Sequence, residues 1–102
     1  MSNFTNDLDQ LNGRIPRRHT IENVAEITAI VNEYEDILIK IEAIDADHEK
    51  IVVPFFADLD EIRSKIKLSN SNKASKKNKD VLFDEASGLL KDSVQGITAL
   101  VG

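Results

Sequence analysis

The chain has 102 residues, of which 41% are hydrophobic and 30% are charged, and its formal net charge at pH 7 is −5. This length and apolar content predict one globular domain over residues 1–102, and they argue against a disordered or fibrous protein. The sequence contains no cysteine. Disulfides, thiolate nucleophiles and cysteine-ligated metal centres are therefore excluded as functional features.

The N-terminal residues lack the basic and apolar segments of a signal peptide, and no later apolar run approaches the ~18 residues of a membrane span. We therefore expect a soluble, acidic, cytoplasmic protein with no membrane span. Export without a classical signal is an alternative, because the chain starts with Ser, Asn and Thr residues and has no cysteine.

The first predicted element is a short helix of residues 4–12. Its apolar side chains are spaced by four, three and four residues, which places them on one helical face: Phe4, Leu8, Leu11 and Ile15. The Asn12-Gly13 dipeptide is a turn signal and predicts the end of the helix near residue 12. A frayed terminus is the alternative interpretation.

The second predicted helix is the strongest signal in the sequence and extends from residue 20 to 52. Thr20 is its expected N-cap, and Glu22 favours the positive end of the helix dipole. Six apolar residues then alternate steps of three and four, as in a coiled-coil seam: Val24, Ile27, Val31, Tyr34, Leu38 and Ile41. A second apolar row beside the seam widens the face, so we expect this helix to contact more than one neighbour.

The third predicted helix covers residues 54–68, because Val52-Val53-Pro54 resembles a helix boundary and proline suits a first helical position. The apolar stripe nevertheless continues through Ile44, His48 and Ile51. One long helix of residues 20–68, kinked at Pro54, is therefore the alternative.

Residues 69–79 contain no apolar residue larger than alanine, and their Ser/Asn/Lys composition predicts a flexible loop. Asp80 is the expected N-cap of a final helix of residues 80–101. Gly88 and Gly96 lie inside that helix, where they either permit close packing or mark a frayed end.

The charges are unevenly distributed along the chain. Residues 1–62 have 14 acidic and 5 basic residues, whereas residues 63–102 have 8 basic and 4 acidic residues. The predicted loop is the centre of the basic region and forms a candidate site for an acidic partner or nucleic acid: Lys73, Lys76, Lys77 and Lys79. Specific nucleic-acid recognition usually requires arginine forks or stacking aromatics, which this loop lacks, so nucleic acid is not the expected partner.

The densest group of metal-capable side chains lies within residues 45–49, Asp-Ala-Asp-His-Glu. It lacks the glycine and spacing of a calcium loop, and its acid-x-x-His pattern has no second copy on another helix. No catalytic motif is present either. We therefore predict no metal, no cofactor and no catalytic residue, and we interpret the segment as a helix cap.

These patterns predict an all-α protein, a small three- to four-helix bundle with or without one long kinked helix. The predicted function is a non-catalytic protein–protein interaction module, such as an assembly factor, adaptor, inhibitor or structural subunit, that binds a protein partner or forms a homo-oligomer. The residues predicted to contact the partner are the seam of the second helix and part of the last helix: Val24, Ile27, Val31, Tyr34, Leu38, Ile41, Leu90, Val94, Ile97 and Val101.

Overall fold

The computed structural model describes residues 4–16, 18–71, 73 and 75–101 and contains four α-helices in that part of the chain. Helix α1 spans Phe4–Arg14, α2 spans Ile21–Glu42, α3 spans Ala46–Ser69 and α4 spans Lys76–Val101. No strand occurs among these described residues. The predicted fold class, a small all-α bundle, is confirmed.

The four helices pack as antiparallel neighbours. Helix α3 packs against both α2 and α4, and α1 packs against α4 and α2. Lys65 pairs with Glu85 while Phe55 lies beside Gly96, so α3 and α4 run in opposite directions. The connections that follow α1 and α3 therefore lie at one end of a bundle of 44 × 22 × 17 Å, and the α2–α3 turn lies at the other end.

The core is formed by the apolar stripe of each helix, as helical periodicity requires. The fully buried side chains come from all four helices, and Tyr34 and Phe83 are the largest of them. Leu8 and Leu11 of α1 belong to this core. The short first helix is therefore packed rather than frayed, and it extends two residues beyond its predicted end, because Gly13 continues the helix.

The boundary between the second and third helices is the main correction to the sequence analysis. Helix α2 ends at Glu42, and Asp45 begins α3 by accepting a hydrogen bond from the backbone N–H of His48 (2.8 Å). Pro54 lies inside α3. The predicted boundary at residues 52–54 and the single long helix are both wrong. The Asp45 cap provides the break, and α3 continues past a proline that costs an isolated helix about 3 kcal/mol.

The Ser/Asn/Lys-rich segment is shorter than the predicted loop of residues 69–79, and its residues 72 and 74 lie outside the described part. Ser69 still belongs to α3, and α4 already begins at Lys76. The Ser75 hydroxyl accepts a hydrogen bond from the backbone N–H of Asn78 (3.2 Å), as an N-cap does. Asp80 is therefore inside α4 and is not its N-cap. The predicted N-cap of α2 is confirmed, because the Thr20 hydroxyl accepts a hydrogen bond from the backbone N–H of Asn23 (3.0 Å).

One buried polar pair lies within the apolar core. The Tyr34 hydroxyl on α2 and the Ser93 hydroxyl on α4 are 2.7 Å apart and share a hydrogen bond. Both residues are buried, and burial raises the pKa of Tyr34 because the phenolate would lose its hydration. The pair joins two diagonally placed helices that otherwise contact each other little.

We expect Tyr34→Phe to lower the free energy of unfolding by about 1–2 kcal/mol, because the Ser93 hydroxyl then stays buried without its partner. Ser93→Ala should cost a similar amount. The double variant should cost clearly less than the sum of the two single changes, as for contacting residues. Urea unfolding of the four proteins measures this coupling, and strictly additive losses would contradict the shared hydrogen bond.

The two interior glycines of α4 differ in their surroundings. A Cβ atom added at Gly88 would meet nothing within 4 Å, whereas one added at Gly96 would lie 3.1 Å from Cε1 of Phe55 on α3. Gly96 therefore permits the close approach of α3 and α4. Gly88 has no such packing role.

This difference predicts that a Gly→Ala substitution affects stability differently at the two positions. Gly88→Ala should stabilise the protein by up to about 1 kcal/mol, the helix-propensity difference between the two residues. Gly96→Ala should gain less or lose stability, because the Phe55 ring must move. Chemical denaturation of both variants tests this contrast. Equal gains in the free energy of unfolding would mean that the Phe55 ring moves aside at no energetic cost, which would contradict the prediction.

Candidate partner-binding end of the bundle

The ten residues predicted to contact a partner lie in the interior of the single chain. Val24 and Val101 are half-buried against the core, and the other eight are fully buried or nearly so. None of the ten belongs to the exposed large apolar side chains of the bundle. The broad stripes of α2 and α4 are covered by α1 and α3, so a partner would have to open the bundle to reach these residues.

Exposed apolar side chains occur elsewhere, and two of them share a groove. Leu68 near the end of α3 and Val81 near the start of α4 are each 51% exposed. They line one depression of about 490 Å³ together with residues of the connecting turn. We call this depression the α3–α4 groove, and its lining residues are Leu68, Ser71, Lys73, Asn78, Val81 and Leu82.

The groove differs from three further depressions on the described surface, which measure about 160, 230 and 200 Å³. Ligand pockets usually enclose at least about 300 Å³, so these three are too small for most ligands. The α3–α4 groove exceeds that size, yet half of each apolar side chain at its edge remains in solvent. This geometry suits a projecting side chain of another protein better than an enclosed small molecule.

All four lysines of the predicted basic loop lie at the groove end of the bundle. Lys73 lines the groove itself, and Lys76, Lys77 and Lys79 occupy the first turn of α4. Lys67 comes from the last turn of α3. We call these five residues the lysine cluster. Within the part of the chain that the structure describes, none of the five forms an ion pair.

Two arginines on this side of the bundle already pair with carboxylates of a neighbouring helix. Arg14 of α1 contacts Glu26 and Glu33 of α2, each at 3.0 Å. Arg63 of α3 donates to both carboxylate oxygens of Glu35, and this hydrogen bonding lowers the pKa of Glu35. These two arginines join neighbouring helices, whereas the cluster's lysines have no ion-pair partner among the described residues and can contact an external anion.

The helix dipole disfavours the cluster's three α4 lysines, whereas it favours Lys67 in the last turn of α3. The three α4 lysines lie in the first turn, where the helix dipole repels cations, and that turn contains no acidic residue. Between Arg63 and Lys79 the sequence contains seven bases and no acid. An anionic partner would relieve this repulsion.

The opposite end of the bundle is acidic. Residues 42–47 contain Glu42, Asp45 and Asp47 without a base, and Ile44 at the centre of the turn is 50% exposed. Asp45 accepts hydrogen bonds from the backbone N–H and from Nδ1 of His48 at 2.8 and 2.7 Å. These bonds hold the pKa of Asp45 below its ordinary value and keep the carboxylate charged. We call residues 42–47 the acidic turn.

The described residues contain no group of three or more His, Asp or Glu side chains arranged to hold a metal ion. Two buried side-chain atoms, Asn12 Oδ1 and His19 Nε2, have no hydrogen-bond partner, and the His19 ring contacts Phe83 edge-on at 5.6 Å. None of the helices in the described part has the length and apolar character to cross a bilayer.

Comparisons with models of known protein families, with curated proteins and with solved structures found no match.

The Asp45 cap predicts a specific dependence of stability on pH. Because the folded-state pKa of Asp45 is lowered, its contribution is present above the ordinary aspartate pKa, near 3.8, and is lost as the pH falls through the folded value. Asp45→Asn keeps a capping oxygen but removes the charge. The stability difference between wild type and this variant, from urea unfolding at pH 6 and below, should shrink on acidification. A difference that stays constant down to about pH 2 would contradict the assignment.

Proposed function

We propose that this protein is a non-catalytic interaction module that binds an acidic segment of a partner protein at the α3–α4 groove. The observation that carries the proposal is an exposed apolar groove lined by Lys73, at the end of the bundle where α4 begins with Lys76, Lys77 and Lys79. The predicted interaction function is retained, but its surface moves from the helix faces to one end of the bundle.

The apolar part of the groove supports a protein partner rather than nucleic acid. Leu68, Val81 and Leu82 can receive an aliphatic side chain, and burying such a side chain supplies affinity independent of salt. The lining residues include neither arginine nor an aromatic ring, the groups that usually read or stack bases. An acidic segment with one projecting apolar residue fits both features.

The lysines supply steering and orientation. Exposed cations on one end of a bundle raise the encounter rate with an acidic patch and contribute less as salt screens them. Because this end is separated from the acidic turn by the length of α3, the two charge patches do not neutralise each other.

Site-specific crosslinking in the native host tests the proposal. A photoreactive amino acid at position 81 should crosslink a protein segment that is net negative and contains an apolar residue. The same group at Ile21, which is 90% exposed but does not line the groove, is the matched control. Crosslinks equal to the Ile21 control, crosslinks to basic segments or crosslinks to nucleic acid would overturn the proposal.

Charge variants sharpen this test. Changing Lys73, Lys76 and Lys77 to Gln should reduce the yield of the Val81 crosslink several-fold, and the remaining yield should depend less on salt. The triple variant at Lys40, Lys50 and Lys91 removes the same charge outside the cluster and should leave the yield unchanged. Equal losses in both variants would indicate a net-charge effect and would contradict recognition by the cluster.

A further inference from the structure

The two ends of this bundle are complementary to each other in charge and in shape. The groove end presents an apolar depression that Lys73 lines, and the other four lysines of the cluster lie in the adjoining turns of α3 and α4. None of the five has an ion-pair partner among the described residues. The acidic turn presents three carboxylates around one half-exposed aliphatic side chain, Ile44. The turn therefore has the chemistry that the groove is proposed to recognise.

A single chain cannot satisfy both ends by itself. The acidic turn immediately precedes α3, and the groove lies at the end of α3. A helix of 24 residues is about 36 Å long at 1.5 Å per residue, so the two patches lie far apart in one molecule. Any contact between them joins two molecules.

We propose that the α3–α4 groove binds the acidic turn of a second copy of this chain, with Ile44 seated between Leu68 and Val81. This inference rests on the proposed function and names one occupant of that groove. Asp47 and Glu42 then face the lysine cluster, and Ile44 loses its exposure to water.

The contact joins different surfaces of the two copies, so one contact leaves a free acidic turn on the first molecule and a free groove on the second. Heterologous contacts of this kind produce closed assemblies where the rotation between copies closes and open linear assemblies where it does not. The contact area at one turn is far smaller than that of a standard stable interface, so the assembly should be weak and should depend on concentration.

Sedimentation velocity of the purified full chain, from about 10 µM to about 1 mM, tests the proposal. At low salt the weight-average mass should rise with concentration above that of the monomer, and at high salt it should fall, since the lysine–carboxylate attraction is screened. A monomer throughout this range at low salt would overturn the inference.

Two single variants make the test specific to the proposed contact. Ile44→Glu destroys the turn but leaves the groove intact, and Val81→Glu does the reverse. Both side chains are exposed, so the fold should be retained, which circular dichroism checks. Each variant alone should remain monomeric, whereas an equimolar mixture should form a 1:1 dimer and nothing larger. Association of either variant alone, or a mixture that stays monomeric, would overturn the inference.

Ile21→Glu provides the matched control, because it adds the same charge at an exposed aliphatic residue outside the groove. It should associate as the wild type does, and a loss of association would indicate a charge effect not specific to the contact. Reversing charge on both sides gives a second measurement: Lys77→Glu should abolish association, and mixing it with Asp47→Lys should restore part of it. An absence of any restoration would contradict the assigned pairing of the two ends.

The outcome for self-association is separable from that for the proposed function. A chain that stays monomeric but crosslinks from Val81 to an acidic segment of another protein would overturn self-docking and support the groove as a binding site. A crosslink from Val81 to residues 42–47 of another copy would support both.

Discussion

Burial of α3 on two sides is the constraint on which the rest of the bundle depends. Helix α3 packs against α2 along one side and against α4 along another, with Val52, Leu59, Ile62 and Ile66 buried. Each neighbour then has a remaining apolar edge, and α1 covers the edges of α2 and α4 with Leu8 and Leu11. The apolar edges of α2 and α4 are therefore covered within one chain, because α1 supplies the remaining helix of the bundle.

That coverage explains why the residues predicted to contact a partner are buried in the single chain. Periodicity correctly indicated helices at Val24–Ile41 and around Leu90–Ile97, and the Thr20 cap was readable from sequence. Periodicity cannot tell whether a broad stripe is covered by another helix of the chain or by a partner. The contribution of α1 decided that question, and its short pattern with Gly13 gave little sign of a full packing element.

Two boundaries were also beyond sequence reasoning for local physical reasons. The three residues between α2 and α3 preserve the spacing from Ile41 through Ile44 to His48, so a new helix imitates a continuing one. At the other end, Lys76, Lys77 and Lys79 resembled loop residues by composition, but lysine is a good helix former and Ser75 supplies the cap. The groove could not be predicted because the start of α4 was misplaced. Val81 lines the groove together with Lys73 and Leu68 only when the helix begins near residue 76.

The separation of charge along the bundle follows from the antiparallel topology. The charge asymmetry between residues 1–62 and 63–102 is partly cancelled in space, because α2 and α3 lie side by side and their arginines and glutamates pair. What remains is concentrated at the two turns, where His48 beside Asp45 is the ion-pair partner that the described residues supply.

The attachment of α1 has a further consequence for the dynamics of the chain. Helix α1 has 11 residues, too few for an isolated helix to be stable in water, and it packs mainly against the helix farthest from it in sequence. The Ser87 hydroxyl donates to the Pro16 carbonyl at 2.8 Å across 71 positions of sequence. Helices α2, α3 and α4 instead form two successive hairpins with short loop closures. The amide hydrogens of α1 should therefore exchange with solvent through local opening, while those beside Tyr34 and Ser93 exchange only when the whole domain unfolds.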